Sequence, residues 1–98
     1  MTFAEFKGTL TQSKPPAGLP PPLVALWWAG KDQCDKAHHI DMDEGSKECA
    51  WVHAYLHRVE GDLGNAGYWY RQARRPVPTK PPAAEWSAIV ETLLENGP

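Results

Sequence analysis

Proline placement limits this chain more than any other feature. Ten of its 98 residues are proline, at 15, 16, 20, 21 and 22 near the start, at 76, 78, 81 and 82 in the last quarter, and at 98. Proline lacks a backbone N–H and clashes with a helical turn behind it, so each group ends or opens an element. The stretches between the groups carry apolar residues at helical spacing. The expected fold is therefore all-α: five to six short helices in one domain over residues 1–98. Residues 1–22 should form an N-terminal helix and a Pro-rich strap, residues 23–78 two helical hairpins, and residues 79–98 a C-terminal helix.

Local signals place the elements. Thr2 followed by Glu5 makes a capping box, with Phe3, Phe6 and Leu10 on one stripe, so residues 2–12 should form a short helix that packs as a lid. Residues 13–22 should run as a polyproline-like connector. Leu23 to Ala29 is apolar all round and stops at Gly30, which implies a short helix buried on most sides. Asp32 is placed to cap the next helix, on which Cys34, Ala37 and Ile40 share a face and which runs into the acidic stretch Asp41 to Glu44. Ser46 restarts the chain, and residues 49–60 form the most apolar helix, with Ala50, Trp51, Val52, Ala54, Tyr55, Leu56 and Val59. Gly61 ends it. Asp62 caps its successor, whose Leu63, Ala66, Trp69, Tyr70 and Ala73 should share an inner face. Pro81 and Pro82 open the last helix, with Trp86, Ile89, Val90, Leu93 and Leu94 on one stripe.

A domain of this length buries only about two-thirds of its unfolded surface, so the core must be efficient, and five Trp, three Tyr and two Phe serve that need. The formal charge of −2 is spread along the chain, which argues against nucleic acid and anionic membranes as partners. Cys34 and Cys49 form no CxxC, no secretory leader is evident, and no apolar run approaches the twenty or so residues that span a bilayer. These features point to a soluble, cytoplasmic protein.

Ala66, Tyr70, Ala73 and Pro78 carry the small–aromatic–small–proline spacing of the second helix of a tetratricopeptide repeat, and Ala50 and Ala54 match the small contact positions of the helix before it. The chain resembles that repeat family from about Leu23 to Pro78. His53 and His57 depart from the pattern, since the family has larger apolar residues there, and around Ala37 the match is weaker because Asp41 and Glu44 replace the aromatic and the second alanine. The run from Trp51 to Arg58 with Tyr68, Trp69 and Tyr70 also resembles a group of small uncharacterised bacterial proteins, a likeness that implies no activity. The repeat resemblance implies a scaffold of stacked hairpins that presents helical surface to a partner.

The four histidines all lie between positions 38 and 57. His53 and His57 are four apart on one helix with Glu60 a turn beyond, and two imidazoles with a carboxylate suit a first-row divalent metal, with His38, Asp41 or Glu44 as a further ligand. The zinc-protease pattern is absent, because Ala54 stands where its general base would be. The competing assignment has His53 and His57 filling inter-helix space and bonding to Glu60, Tyr70 or backbone, and it is the one we favour at this point. His38 and His39 are adjacent, so at least one should face solvent.

No nucleophilic triad emerges from Ser13, Ser46 or Ser87, and Cys34 and Cys49 read as small core residues. Gly61, Gly64 and Gly67 lie in a helical segment, where they would let helices approach closely. Arg58, Arg71, Arg74 and Arg75 could form a cationic strip beside Tyr68 and Trp69, or simply solvate a helix end. The leading expectation is a non-catalytic module for binding a protein partner or for self-association, with Tyr68, Trp69, Arg71, Gln72 and Arg75 exposed, or with Trp86 and Leu93 of the last helix at a dimer interface. The alternative is a small metal-binding or metal-dependent hydrolytic protein built on His53, His57, Glu60 and His38.

Overall fold

In the computed structural model, which describes residues 1–40 and 46–96, all regular structure is helical. Six α-helices follow in order: α1 (Phe3–Gly8), α2 (Pro21–Gly30), α3 (Cys34–His38), α4 (Lys47–Val59), α5 (Leu63–Ala73) and α6 (Pro82–Asn96), with a 3₁₀ turn at Thr9–Thr11 after α1. The acidic stretch from Asp41 to Glu44, including the expected metal ligands Asp41 and Glu44, lies outside the described residues.

Helix starts follow the local chemistry. The Thr2 hydroxyl accepts from the Glu5 N–H at 3.1 Å while the Glu5 carboxylate accepts from the Thr2 N–H at 2.8 Å, completing the capping box. Ser46 accepts from the Cys49 N–H, and Asp62 from the Asn65 N–H. Asp32 does not cap α3, however. It instead takes a left-handed backbone at φ 60°, its N–H donating to Ala29 and the following Gln33 N–H reaching back to Trp28, so the residue is spent on ending α2. The same double closure ends α4 at Gly61, φ 83°, and α5 at Arg74, φ 57°. Only one of these three left-handed positions is a glycine.

α4 is the hub, packing on α2, α3, α5 and α6. Its tightest neighbour is α5, across the turn at residues 60–62, where Ala50 and Ala54 meet a partner face built on Ala66, Tyr70 and Ala73, all buried. α6 lies against α4 and α2, and α1 covers α6 as the expected lid, with Phe3 and Phe6 ring centroids 6.0 and 6.1 Å from that of Trp86. The buried indoles are satisfied: Trp86 Nε1 donates to the Leu26 carbonyl at 2.8 Å, and Trp27 Nε1 to Thr9 Oγ1 at 3.0 Å. Lys31 Nζ donates to the Gln12 carbonyl, tying the end of the 3₁₀ turn to the end of α2.

Three packing expectations are corrected. Leu63 is 67% exposed, because it starts α5 just past the end of α4 and nothing lies over it; Val59, on the other side of the turn, is 41% exposed for the same reason. Gly64 and Gly67 do not bring helices together. A Cβ at Gly64 would meet nothing within 4 Å, and one at Gly67 only the Arg71 guanidinium at 3.9 Å. Trp86 and Leu93 are buried in the core, which removes them from any dimer interface.

Candidate functional site

The most polar point of the interior is Glu85, which is 3% exposed. Its carboxylate accepts from Arg58 Nη1 at 3.0 Å on one oxygen and from the Tyr70 hydroxyl at 2.5 Å on the other, so α6, α4 and α5 are joined through one residue. Arg58 Nη2 donates in turn to the Lys80 carbonyl. Burial, reinforced by the bond to Glu85, pushes the Tyr70 phenol well above its usual range. Both oxygens of Glu85 are hydrogen-bonded, so the triad holds three helices together as a polar clamp. Arg58 therefore does not join a cationic strip with Arg71, Arg74 and Arg75. The sequence signal for Glu85 is its place four residues before Ile89 and eight before Leu93 on the apolar stripe of α6, where an acidic residue implies a buried partner.

Three of the four histidines divide between two places. His53 stacks on Trp69, with ring centroids 4.7 Å apart and planes inclined by 22°. His57 turns the other way toward α3. There His38 Nε2 lies 3.0 Å from Glu60 Oε1, His57 Nδ1 lies 3.6 Å from the same oxygen and 3.9 Å from Asp62, and the two imidazole centroids are 5.4 Å apart. Glu60 thus gathers His38 and His57 but not His53, so the set His53, His57 and Glu60 is not brought together. A separation of four residues put both rings on one helical side, but the bulk of Trp69 on α5 draws one of them away. Among the described residues no group of three His, Cys, Asp or Glu side chains has an arrangement that could hold a metal ion. His57 Nδ1 is buried with no hydrogen-bond partner among the described residues, and His39 faces solvent as expected. Asp62 is held below the usual carboxylate range by the side-chain amide of Asn65, which donates at 2.7 Å, and by the Asn65 N–H.

α5 leaves a broad face open to water. One of its faces is closed on α4; the opposite face carries Tyr68 (47% exposed), Arg71 and Gln72, all in water, with Leu63 exposed at the start of the packed side and Arg74 and Arg75 exposed just beyond the helix end. Trp69, expected to be exposed, is half-buried at the edge of this face because His53 covers it and Tyr68 meets it edge-on at 5.2 Å. The Arg75 guanidinium sits 3.8 Å from the centroid of the Trp51 ring, which fixes one positive charge where the face meets α4. A helix with this pattern has a packed side set by alanines and an outer side with tyrosine and arginine, types enriched among the residues that dominate protein interfaces.

No family model, curated protein or solved structure matches this chain. Among the described residues no helix is long and apolar enough to cross a membrane.

Proposed function

We propose that this chain is a non-catalytic interaction module whose contact surface is the outer face of α5. The observation that carries the reading is the exposure of Tyr68 beside Arg71 and Gln72, on a helix whose other side is closed by Ala66, Tyr70 and Ala73. Apolar and aromatic side chains cost free energy in water, and arginine supplies both charge and flat contact area. The partner that fits is a protein surface with an apolar patch rimmed by carboxylates, because Arg71, Arg74 and Arg75 make this end of the module positive although the chain as a whole is slightly negative. A second copy of the chain, with net charge −2, is one such partner. The resemblance to tetratricopeptide hairpins supports the same reading, since an isolated hairpin pair leaves faces that neighbours normally cover. The two cysteines are thiols, which fits a reducing cytoplasm.

Sedimentation velocity over a dilution series tests self-association, and a photo-reactive residue at position 68 tests contact with other proteins in the cell. Association that is lost in the double variant Tyr68→Glu, Arg71→Glu, with the melting temperature kept, is the expected result. A chain that stays monomeric at every concentration and forms no crosslink from position 68 beyond that of a control position removes the proposal.

A further inference from the structure

The segment from Arg75 to Lys80, which connects α5 to α6, borders a groove against α4 and α6. The groove has two parts. One, of about 240 Å³, is lined by Ala88 of α6 and by Pro76, Pro78 and Lys80 of the connector; the other, of about 100 Å³, reaches Lys47, Ala73 and Leu93. Trp51, Arg75 and Thr92 line both, so the two parts meet at these residues.

Arg75 is preorganised. Its backbone N–H donates to the Tyr70 carbonyl at 3.0 Å as part of the closure of α5, the next residue is Pro76, and its guanidinium lies 3.8 Å from the centroid of the buried Trp51 ring. A guanidinium held by its flat face keeps its N–H donors at its edge, and among the described residues none of these donors has an acceptor. The ammonium groups of Lys47 and Lys80 likewise make no ion pair with another described residue. The carboxylates of the groove stand differently. Glu85 is bound by Arg58 and Tyr70, and Glu48 accepts from the Ser46 hydroxyl at 3.0 Å. With Arg58 neutralising Glu85, the lining sets Lys47, Arg75 and Lys80 against Glu48 alone, in a chain whose net charge is −2.

Lys47 lines only the smaller part and Lys80 only the larger, with Arg75 shared, so the positive charges are spaced along the groove rather than gathered at one point. A single small anion would need them gathered. An extended peptide places alternate side chains on one side about 7 Å apart, which suits charges set out in a row. We propose that this groove binds an extended acidic segment of a partner protein, one carboxylate taken by the edge of the Arg75 guanidinium and its neighbours by Lys47 and Lys80, the aliphatic stems lying along Trp51 and Ala88. Tyr68, Arg71 and Gln72 line neither part, so this is a second surface whose occupancy does not depend on contact at the outer face of α5.

The test is titration of the blocked peptide acetyl-Glu-Ala-Glu-Ala-Glu-amide into the ¹⁵N-labelled full chain. Saturable shifts are expected at the Trp51 indole N–H, the Arg75 Nε–H and the Thr92 amide. Because hydrogen bonds between charged groups are the stronger kind, Arg75→Gln should weaken binding about tenfold or more, and Lys80→Gln by a smaller factor. Arg75→Lys keeps the charge but loses the flat fork, and should recover only part of that loss. Both positions are exposed, so the melting temperature should hold in all three variants. The peptide with glutamine in place of glutamate should give no shifts, and inorganic phosphate should bind more weakly than the acidic peptide. Shifts confined to other residues, unchanged affinity in Arg75→Gln, full affinity in Arg75→Lys, equal binding of the glutamine peptide, or phosphate binding as tightly as the acidic peptide would each overturn the proposal.

Discussion

Replacing Glu85 with alanine should be the most damaging single change to a polar residue in this protein. The substitution deletes the acceptor of two bonds at once, from Arg58 at 3.0 Å and from Tyr70 at 2.5 Å. Arg58 would keep only the Lys80 carbonyl, with its side chain mostly out of water, and removing one partner of a buried pair costs about 3–5 kcal/mol. The stranded Tyr70 hydroxyl adds a desolvation penalty of about 1–3 kcal/mol. The two penalties share one network and do not sum, so the expected loss is about 4 kcal/mol. Against the total of about 5–15 kcal/mol usual for a domain, that is a large fraction. Urea unfolding followed by far-ultraviolet circular dichroism reads it directly: at a slope of about 1.5 kcal/mol/M, the midpoint should fall by roughly 2–3 M. The companion variant, with Arg58→Met, Tyr70→Phe and Glu85→Leu together, removes every member of the clamp and leaves nothing stranded, so it should be within about 1 kcal/mol of the parent or more stable. If Glu85→Ala costs less than about 1 kcal/mol, or if the triple variant is as damaged as the single, the clamp is not the buried network described above.

Four further outcomes can be checked by the same unfolding measurements. Gly30→Ala should destabilise by about 1–3 kcal/mol, because the new methyl meets a pinned indole and the overlap outweighs the helix-propensity gain of about 1 kcal/mol. Gly64→Ala has open space around the added carbon and should instead stabilise by about 1 kcal/mol. Arg74→Gly should stabilise by about 0.5–1 kcal/mol, since glycine accepts the left-handed backbone that arginine holds at φ 57° and the Arg74 side chain makes no described bond. Stability should fall as pH rises above about 10: Tyr55 and Tyr70 both have raised folded-state values, so the folded chain holds protons that the unfolded chain has released, and the phenolate absorbance of Tyr55 should emerge only near pH 12. A melting temperature that is flat through that range would contradict this assignment.

Much of the helical layout was legible before any packing was known, because helix ends depend on groups three or four residues apart. Thr2 with Glu5, Ser46, Asp62 and the prolines at 81 and 82 all act within one turn of the element they start, and each does so in the structure. Alanines at 50, 54, 66 and 73 likewise announced a close contact between α4 and α5, since small residues at helical spacing leave little else for that face to do. Asp32 was misread because a capping residue and a left-handed closing residue draw on the same short polar types, and only the path of the chain after α2 separates them.

What tertiary structure alone decided were the fates of side chains that choose between neighbours. Glu85 meets Arg58 across 27 residues and Tyr70 across 15, and no periodicity within a helix carries that information. Two histidines on one side of α4 were sorted to different partners by where Trp69 and His38 arrive from other helices. Leu63 has the spacing of a core residue but lies past the end of α4, so its apolar surface stays in water. Local hydrogen bonding and helical period operate over a few residues and can be read along the chain. Burial, charge pairing and exposure depend on which surfaces meet, and that is settled only when all the helices are in place.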